Sequence, residues 1–335
     1  MQKLEVLGAK KLKGQISISG SKNASLPILA ATLLSRKKIY LRNLPRVKDI
    51  ETMINLLQSL GSQIRFNKKE LIINNRKQNK KFASYSLVKT MRAGILVLGP
   101  LLAKFGKAKV SLPGGCAIGS RPVDIHLKAL SKLGVKYKIT QGYVHATAPK
   151  GLIGSKIRFS KISVGATENL IIASSFAKGI TILKNCAIEP EIKDLVNFLI
   201  SIGCNIKWVA RRSLKIVGVN EIYEKSYSVM FDRIEAGTYL VAAALTEGNL
   251  KIKNVIPNII QNEINTLRKI GAKLIIKKNE IHIIGNKKIK SMNIKTAPYP
   301  GFPTDLQAQI MVLLCKANKK SSVTEDIFEN RFMHV

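Results

Sequence analysis

Three short stretches combine charged or nucleophilic side chains with backbone punctuation that would expose them. Gly20-Ser21-Lys22-Asn23-Ala24-Ser25 is a small polar turn that runs directly into an apolar segment. A lysine beside the free amides of a helix N-terminus makes a place for an anion; the plain alternative is a solvated surface lysine. In Leu112-Pro113-Gly114-Gly115-Cys116-Ala117-Ile118-Gly119-Ser120-Arg121-Pro122-Val123-Asp124, one thiol and one guanidinium sit among three glycines and two prolines. Free cysteine is usually buried and inert. An exposed Cys116 near Arg121 would instead gain thiolate character and reactivity, because positive charge favours the anion. The third stretch, Pro298-Tyr299-Pro300-Gly301-Phe302-Pro303-Thr304-Asp305, brings a carboxylate to the start of an apolar helix. Asp305 could take a proton from a hydroxyl, or Thr304 or Asp305 could simply cap that helix, and the residues alone favour the cap. HxH, GxSxG, HExxH, Walker A and GxGxxG patterns are absent.

The elements that must position these groups recur along the chain. Leu60-Gly61, Leu133-Gly134, Ile202-Gly203 and Ile270-Gly271 each follow an amphipathic helical segment, for example 49–60 and 191–202, with apolar residues at three- and four-residue steps. Glycine after the last turn fits a left-handed C′ position. Paired strand-like runs follow, such as 62–66 with 71–74 and 272–276 with 281–284. Upstream of each amphipathic helix lies an apolar helix and a β run: 26–34 then 39–41, 93–102 then 109–112, 170–176 then 180–183, and 238–245 then 250–253. The period is about 70 residues, and each unit reads β-α-β-α-β-β. A fifth unit opens with a helix at 302–314 and a strand at 321–324, and Val335 arrives before its second helix and strand pair. A half unit cannot bury its own sheet face, so the sequence predicts a truncated C-terminal lobe.

The bulk composition sets limits. A chain of 335 residues suggests about two domains at roughly 150 residues each. With 46% hydrophobic residues there is ample material for a core. No apolar run approaches the ~20 residues of a membrane span, and the N-terminus lacks a basic region followed by an apolar one, so no signal peptide is expected. The four cysteines (Cys116, Cys186, Cys204, Cys315) form no CxxC pair and no metal-ligand spacing with histidine. That argues against zinc or a disulfide framework and for a reducing, cytoplasmic setting. The net charge of +36 raises nucleic-acid binding as an alternative. Against it, the lysines are spread through every segment among many Ile and Asn residues, and aromatics are only 6%, whereas single-strand binders interleave aromatics with basic residues. The nearest cluster, 74–81, reads as a solvated loop. A small anionic substrate suits the same field.

Together these stretches resemble the family of UDP-N-acetylglucosamine enolpyruvyl (1-carboxyvinyl) transferases. The resemblance runs through essentially the whole chain. It passes from Gly20-Ser21-Lys22-Asn23 through Thr90-Met91-Arg92, Pro113-Gly114-Gly115-Cys116, Arg121-Pro122-Val123-Asp124 and Ser163-Val164-Gly165-Ala166-Thr167. It continues through Glu189-Pro190-Glu191, Asp232-Arg233-Ile234-Glu235 and Phe302-Pro303-Thr304-Asp305 to Phe328-Glu329-Asn330-Arg331-Phe332-Met333-His334. The shikimate-pathway enolpyruvyl transferases share the fold but not the Gly-Gly-Cys loop.

The resemblance implies an α/β fold of two lobes, each an inside-out α/β barrel of repeated units, with substrates in a cleft. Residues 1–21 with 230–335 would form the first lobe, and 22–229 the second, carrying the Cys loop. It implies transfer of the enolpyruvyl group of phosphoenolpyruvate to the sugar 3′-hydroxyl, through a tetrahedral ketal, with phosphate leaving. No metal or organic cofactor is expected. Lys22 and Arg121 resemble the cations that hold phosphoenolpyruvate, Cys116 the general acid alkylated by fosfomycin-type epoxides, and Asp305 the carboxylate that takes the hydroxyl proton. Asn23 resembles a sugar contact. Arg92, the run Arg121, Pro122, Val123, Asp124 and Ile125, and the run Lys161, Ile162, Ser163 and Val164 resemble the nucleotide and diphosphate shell, with Ile327 near the sugar. In the family, further sequence after the Phe-Met-His stretch supplies another carboxylate and an arginine. The alternatives are therefore an inactive truncated homologue that keeps UDP-sugar binding and, from another class, a basic nucleic-acid-binding protein.

Overall fold

The structure, a computed structural model, describes every residue except 1, 2, 4, 6, 9, 68, 69, 89, 90, 113 and 115–122, and the side chains of 85 and 86 are also outside the description. In chain order the helices are α1 (Lys22–Ala31), α2 (Lys48–Ser59), α3 (Tyr85–Val88), α4 (Leu98–Phe105), α5 (Asp124–Ser131), α6 (Val164–Ser174), α7 (Pro190–Ser201), α8 (Arg233–Leu245), α9 (Gln261–Ile270) and α10 (Gln307–Leu314). The chain divides into two compact units, Gly20–Met230 and the pair Met1–Ser19 with Phe231–Val335.

One sheet design repeats. In the unit Gly20–Met230 the strand orders are Lys225–Ser228, Lys38–Arg42, Glu70–Asn74, Gln63–Asn67; then Phe82–Ala83, Lys107–Ser111, Tyr143–Thr147, Lys136–Thr140; and Lys156–Arg158, Ile180–Lys184, Ser213–Val217, Asn205–Ala210. In each sheet the first two strands are parallel and the rest antiparallel. Parallel neighbours need a crossover: α4 lies in the one between Phe82–Ala83 and Lys107–Ser111, and α6 in the one between Lys156–Arg158 and Ile180–Lys184. Lys225–Ser228 instead returns from the far end of the unit to lie beside Lys38–Arg42, and the antiparallel pair of each sheet closes through a hairpin. The other unit carries the same pattern in Lys13–Ser17, Asn249–Lys253, Glu280–Ile284 and Lys273–Lys277, together with a parallel pair, Asn293–Lys295 and Ser322–Thr324.

Burial explains why helices lie inside. In α1 every residue from Ala24 to Ala31 is buried, and in α6 every residue from Ala166 to Ser174. A helix apolar on all sides belongs in an interior. Around them α4 and α5 pack on α6, while α2 and α7 pack on α1. The strands cover this core with one face: Ile39 and Leu41 are buried while Lys38 and Arg42 face solvent. Such alternation is that of a sheet wet on one side. This is the inside-out α/β arrangement that the resemblance implies, and exposed strand lysines occur in every sheet, among them Lys38, Lys107, Lys184, Lys273 and Lys295. The turn glycines also behave as expected: Gly61, Gly134, Gly203 and Gly271 have φ of +100°, +90°, +107° and +116°, a region that L side chains avoid.

Two local expectations change. The segment expected to be one helix over 93–102 begins as a 3-10 stretch, Arg92–Val97, before α4. The 74–81 loop is not simply solvated. Asn75 and Gln78 are buried, and the Asn75 amide donates to the Thr32 carbonyl at 2.7 Å, pinning the loop to the end of α1.

Candidate functional site

Lys22 is the first residue of α1, and the preceding Ser21 caps the helix by accepting from the Ala24 amide at 3.2 Å. The turn is pressed onto the Asn43 turn: a Cβ on Gly20 would lie 1.5 Å from the Asn43 carbonyl oxygen, so only glycine fits. Asn43, at φ +57°, also donates to the Val229 carbonyl at 2.8 Å. Lys22 Nζ lies 3.2 Å from Asp49 in α2, and both side chains are partly exposed. Exposed pairs of this kind are worth at most about 1 kcal/mol, so the contact orients the lysine without locking it. Asn23 follows in the first turn of α1, partly buried. Asp49 is 27 positions from Lys22, and nothing in the local sequence marks it as the partner.

Arg92 opens the 3-10 stretch Arg92–Val97. Val123 is the residue before α5, Asp124 and Ile125 begin that helix, and Asp124 pairs with Lys128 one turn on at 3.3 Å. Lys161 and Ile162 lead into α6, whose cap is Ser163, accepting from the Ala166 amide at 3.3 Å; Val164 is its first residue. Thus each nucleotide-shell candidate among the described residues stands where an element begins, with amides not yet used in a helical ladder. These elements pack together within one unit. Cys116, Arg121 and Pro122 lie outside the described residues.

Asp305 and Ile327 belong to the other unit. Here the capping alternative fails. A 3-10 turn, Thr304–Leu306, precedes α10, so the cap positions fall on Pro303 and Leu306, and neither offers a side-chain cap bond. The Asp305 carboxylate instead accepts from the Arg331 guanidinium at 3.1 Å. Glu325 ties the neighbourhood together: one oxygen accepts from the Thr304 hydroxyl at 2.8 Å, the other from the Ile327 and Phe328 amides at 2.8 and 3.1 Å. Asp305, Ile327 and Arg331 are thereby brought to one place. Arg331 and Glu325 were not singled out from the sequence, although Arg331 lies within a motif of the resemblance. A charge-assisted guanidinium bond fixes the direction in which a carboxylate faces, which a proton acceptor needs.

Other motif residues do structural work. Asp232 caps α8 by accepting from the Ile234 and Glu235 amides at 2.9 and 3.0 Å. Arg233, buried, lies 4.0 Å from Glu263 and 5.9 Å from the Tyr299 ring centre. Burial pushes the Glu168 carboxyl up to about 8, with repulsion from Glu191 and Glu189 adding to it. Burial likewise lowers His126 to about 4, against the pull of Asp124. Among the described residues no cluster of metal-ligating side chains occurs, and no helix is long and apolar enough to cross a membrane.

Comparisons with known proteins extend over the same residues. A family model described as EPSP synthase (3-phosphoshikimate 1-carboxyvinyltransferase) matches residues 6–335. UDP-N-acetylglucosamine 1-carboxyvinyltransferase of Pelagibacter ubique (strain HTCC1062) is 78% identical over 335 residues, spanning 100% of this chain and 80% of that protein. The protein of the same name from Helicobacter pylori (strain HPAG1) is 51% identical over 337 residues, with the same shares covered. Among solved structures, the enolpyruvyl transferase NikO from Streptomyces tendae matches with TM-score 0.84 at 18% identity, over 95% of this chain and 76% of that one. EPSP synthase from Acinetobacter baumannii matches with TM-score 0.69 at 18% identity, over 94% and 74%. At such identities the structural likeness speaks for the fold alone.

Proposed function

The chain belongs to the UDP-N-acetylglucosamine 1-carboxyvinyltransferases within the EPSP synthase family, and from that premise we propose that it transfers the enolpyruvyl group of phosphoenolpyruvate to the 3′-hydroxyl of UDP-N-acetylglucosamine. Phosphate is released, and the reaction is the first committed step of peptidoglycan synthesis in the cytoplasm. Residues 1–21 with 230–335 and residues 22–229 are proposed as its two lobes.

In this scheme Lys22 and Arg121 hold the phosphate and carboxylate of phosphoenolpyruvate. Cys116 gives a proton to C3, which leaves C2 electron-poor. Asp305 takes the proton of the 3′-hydroxyl as its oxygen bonds to C2, and a tetrahedral ketal results. Loss of a proton from C3 re-forms the double bond as the C2–O bond to phosphate breaks, so the phosphate departs with that bridging oxygen. The lysine and arginine charges act where negative charge grows on the leaving group, in a preorganised setting that need not reorganise. Asn23 and Ile327 contact the sugar. Arg92, Val123, Asp124, Ile125, Pro122 and the run Lys161, Ile162, Ser163 and Val164 take the nucleotide and diphosphate, for which unladdered amides at element starts are suitable donors.

The observation that carries the reading is Asp305: a carboxylate at the head of an apolar helix that does not cap it and is aimed by Arg331 at 3.1 Å. The test is phosphate release from phosphoenolpyruvate with and without UDP-N-acetylglucosamine. Release should depend on the sugar nucleotide and fall by about 10²-fold or more in Asp305→Asn, with sugar-nucleotide binding retained. Release that is indifferent to the sugar nucleotide would overturn the proposal.

A further inference from the structure

The elements that begin at Arg92, at Val123 and at Ser163 are joined by one buried side chain that no sequence motif marks for chemistry. Asn169 lies in the second turn of α6 with no exposure to solvent. Its Oδ1 accepts from the Gly99 amide at 2.8 Å, near the start of α4. Its Nδ2 donates to the Ile95 carbonyl at 3.1 Å, within the 3-10 stretch that Arg92 opens. The same nitrogen lies 3.2 Å from His126 Nδ1 in the first turn of α5. Each contact spans more than 40 residues of sequence, and together they use the carbonyl and both hydrogens of the amide.

These partners also fix protonation. The Gly99 amide can only donate and the Ile95 carbonyl can only accept, so the Asn169 amide has one orientation. The second Nδ2 hydrogen must then be received by His126 Nδ1, which leaves the imidazole proton on Nε2. Burial, which holds His126 at about 4, keeps the ring neutral so that it can accept. The fit is tight on both sides. A Cβ on Gly99 would lie 2.3 Å from Asn169 Oδ1, and a Cβ on Gly165 would lie 3.2 Å from the His126 ring.

We propose that Asn169 is a positioning residue for the sugar nucleotide: its three hydrogen bonds hold the starts of the Arg92 stretch, α5 and α6 at the spacing that the nucleotide and diphosphate require. This rests on the transferase reading above. Asn169 touches no substrate itself. It sets the register between backbone segments that do, so the inference predicts a loss confined to one substrate. Displacing a bound segment by a fraction of an ångström weakens several polar contacts at once, whereas phosphoenolpyruvate is held by Lys22 and Arg121.

The test uses the full-length protein, with Asn169→Asp, Gly99→Ala, their combination, and Leu214→Ala, a core truncation in the outer sheet, as a control for lost stability. Asn169→Asp keeps the acceptor for Gly99 and removes both donations. In Asn169→Asp and in Gly99→Ala the KM for UDP-N-acetylglucosamine should rise about tenfold, as expected for unpairing buried polar groups. The kcat and the KM for phosphoenolpyruvate should stay within about twofold, and the double variant should be little worse than the poorer single one. In the wild type, 15N NMR should show His126 protonated at Nε2 and bare at Nδ1, a signature lost in Asn169→Asp. If the two variants lose stability as Leu214→Ala does while the KM for UDP-N-acetylglucosamine stays at the wild-type value, Asn169 is merely structural and the inference is overturned. Calorimetric titration of the wild type with UDP-N-acetylglucosamine separates this from a deeper failure: no binding at all would sink the transferase reading itself.

Discussion

Replacing Glu168 by glutamine should make the protein more stable at alkaline pH and leave it unchanged in mild acid. The Glu168 side chain is 5% exposed within α6, and its carboxyl is pushed from 4.5 up to about 8, first by burial and then by Glu191 and Glu189. A raised carboxyl means that the folded state keeps a proton which the unfolded chain gives up. Its contribution to stability is therefore whole below pH 4.5, declines as pH rises, and is lost by about pH 8. Each tenfold change in proton affinity is worth about 1.4 kcal/mol, so the full window gives an upper bound on the order of 5 kcal/mol. Local relaxation and entry of water reduce this, and a gain of about 1–3 kcal/mol at about pH 8.5 is expected for Glu168→Gln, vanishing near about pH 5. The assay is urea unfolding at several pH values, followed by the fluorescence of Trp208. That residue is the single tryptophan and lies in the same unit as Glu168, so the transition observed is the relevant one even if the two units unfold separately. A variant no more stable than wild type at alkaline pH, or one with an unaltered pH slope, would show that Glu168 is ionised in the fold and compensated by a cation.

Three further outcomes follow from the packing. Gly20→Ala should lower stability by about 3 kcal/mol or more, because its Cβ would fall 1.5 Å from the Asn43 carbonyl and the helix carrying Lys22 must shift; urea midpoints and the KM for phosphoenolpyruvate should change together. Asp194→Asn should cost about 1–3 kcal/mol in a denaturant titration, since the buried carboxylate accepts from the Tyr227 hydroxyl at 2.6 Å and the Met230 amide at 3.1 Å. Burial pushes the Cys186 and Cys204 thiols up to about 12 and about 11, so mass spectrometry after brief treatment with an epoxide or maleimide near neutral pH should find both unmodified and Cys116 labelled.

The sequence makes the repeat plain because each unit carries its own markers: a helix-ending glycine that needs positive φ, and an alternating strand pair after it. Pairings between distant strands leave no such mark. Lys225–Ser228 completes the sheet begun by Lys38–Arg42, and Lys13–Ser17 completes the one built around Asn249–Lys253, yet each strand alone reads as an ordinary edge. For the candidate site, residue types locate the segments but not the partners. Asp305 looks like a cap because a carboxylate before an apolar run usually is one; the intervening 3-10 turn shifts the cap to Leu306 and leaves the carboxylate to Arg331. Asn169 has no local signature, since an asparagine inside a helix is unremarkable until its two backbone partners and the His126 ring are known. Cys116 and Arg121 remain legible as chemistry and lie outside the described residues.

The claim of enolpyruvyl transfer is tested most directly by where the bridging oxygen of phosphoenolpyruvate goes. With 18O at that bridge and UDP-N-acetylglucosamine present, addition and elimination at C2 break the carbon–oxygen bond, and the account predicts that the label leaves in inorganic phosphate while the sugar gains an enolpyruvyl ether. Label retained in pyruvate, with unlabelled phosphate released, would mean that the phosphorus–oxygen bond breaks, and would contradict the account.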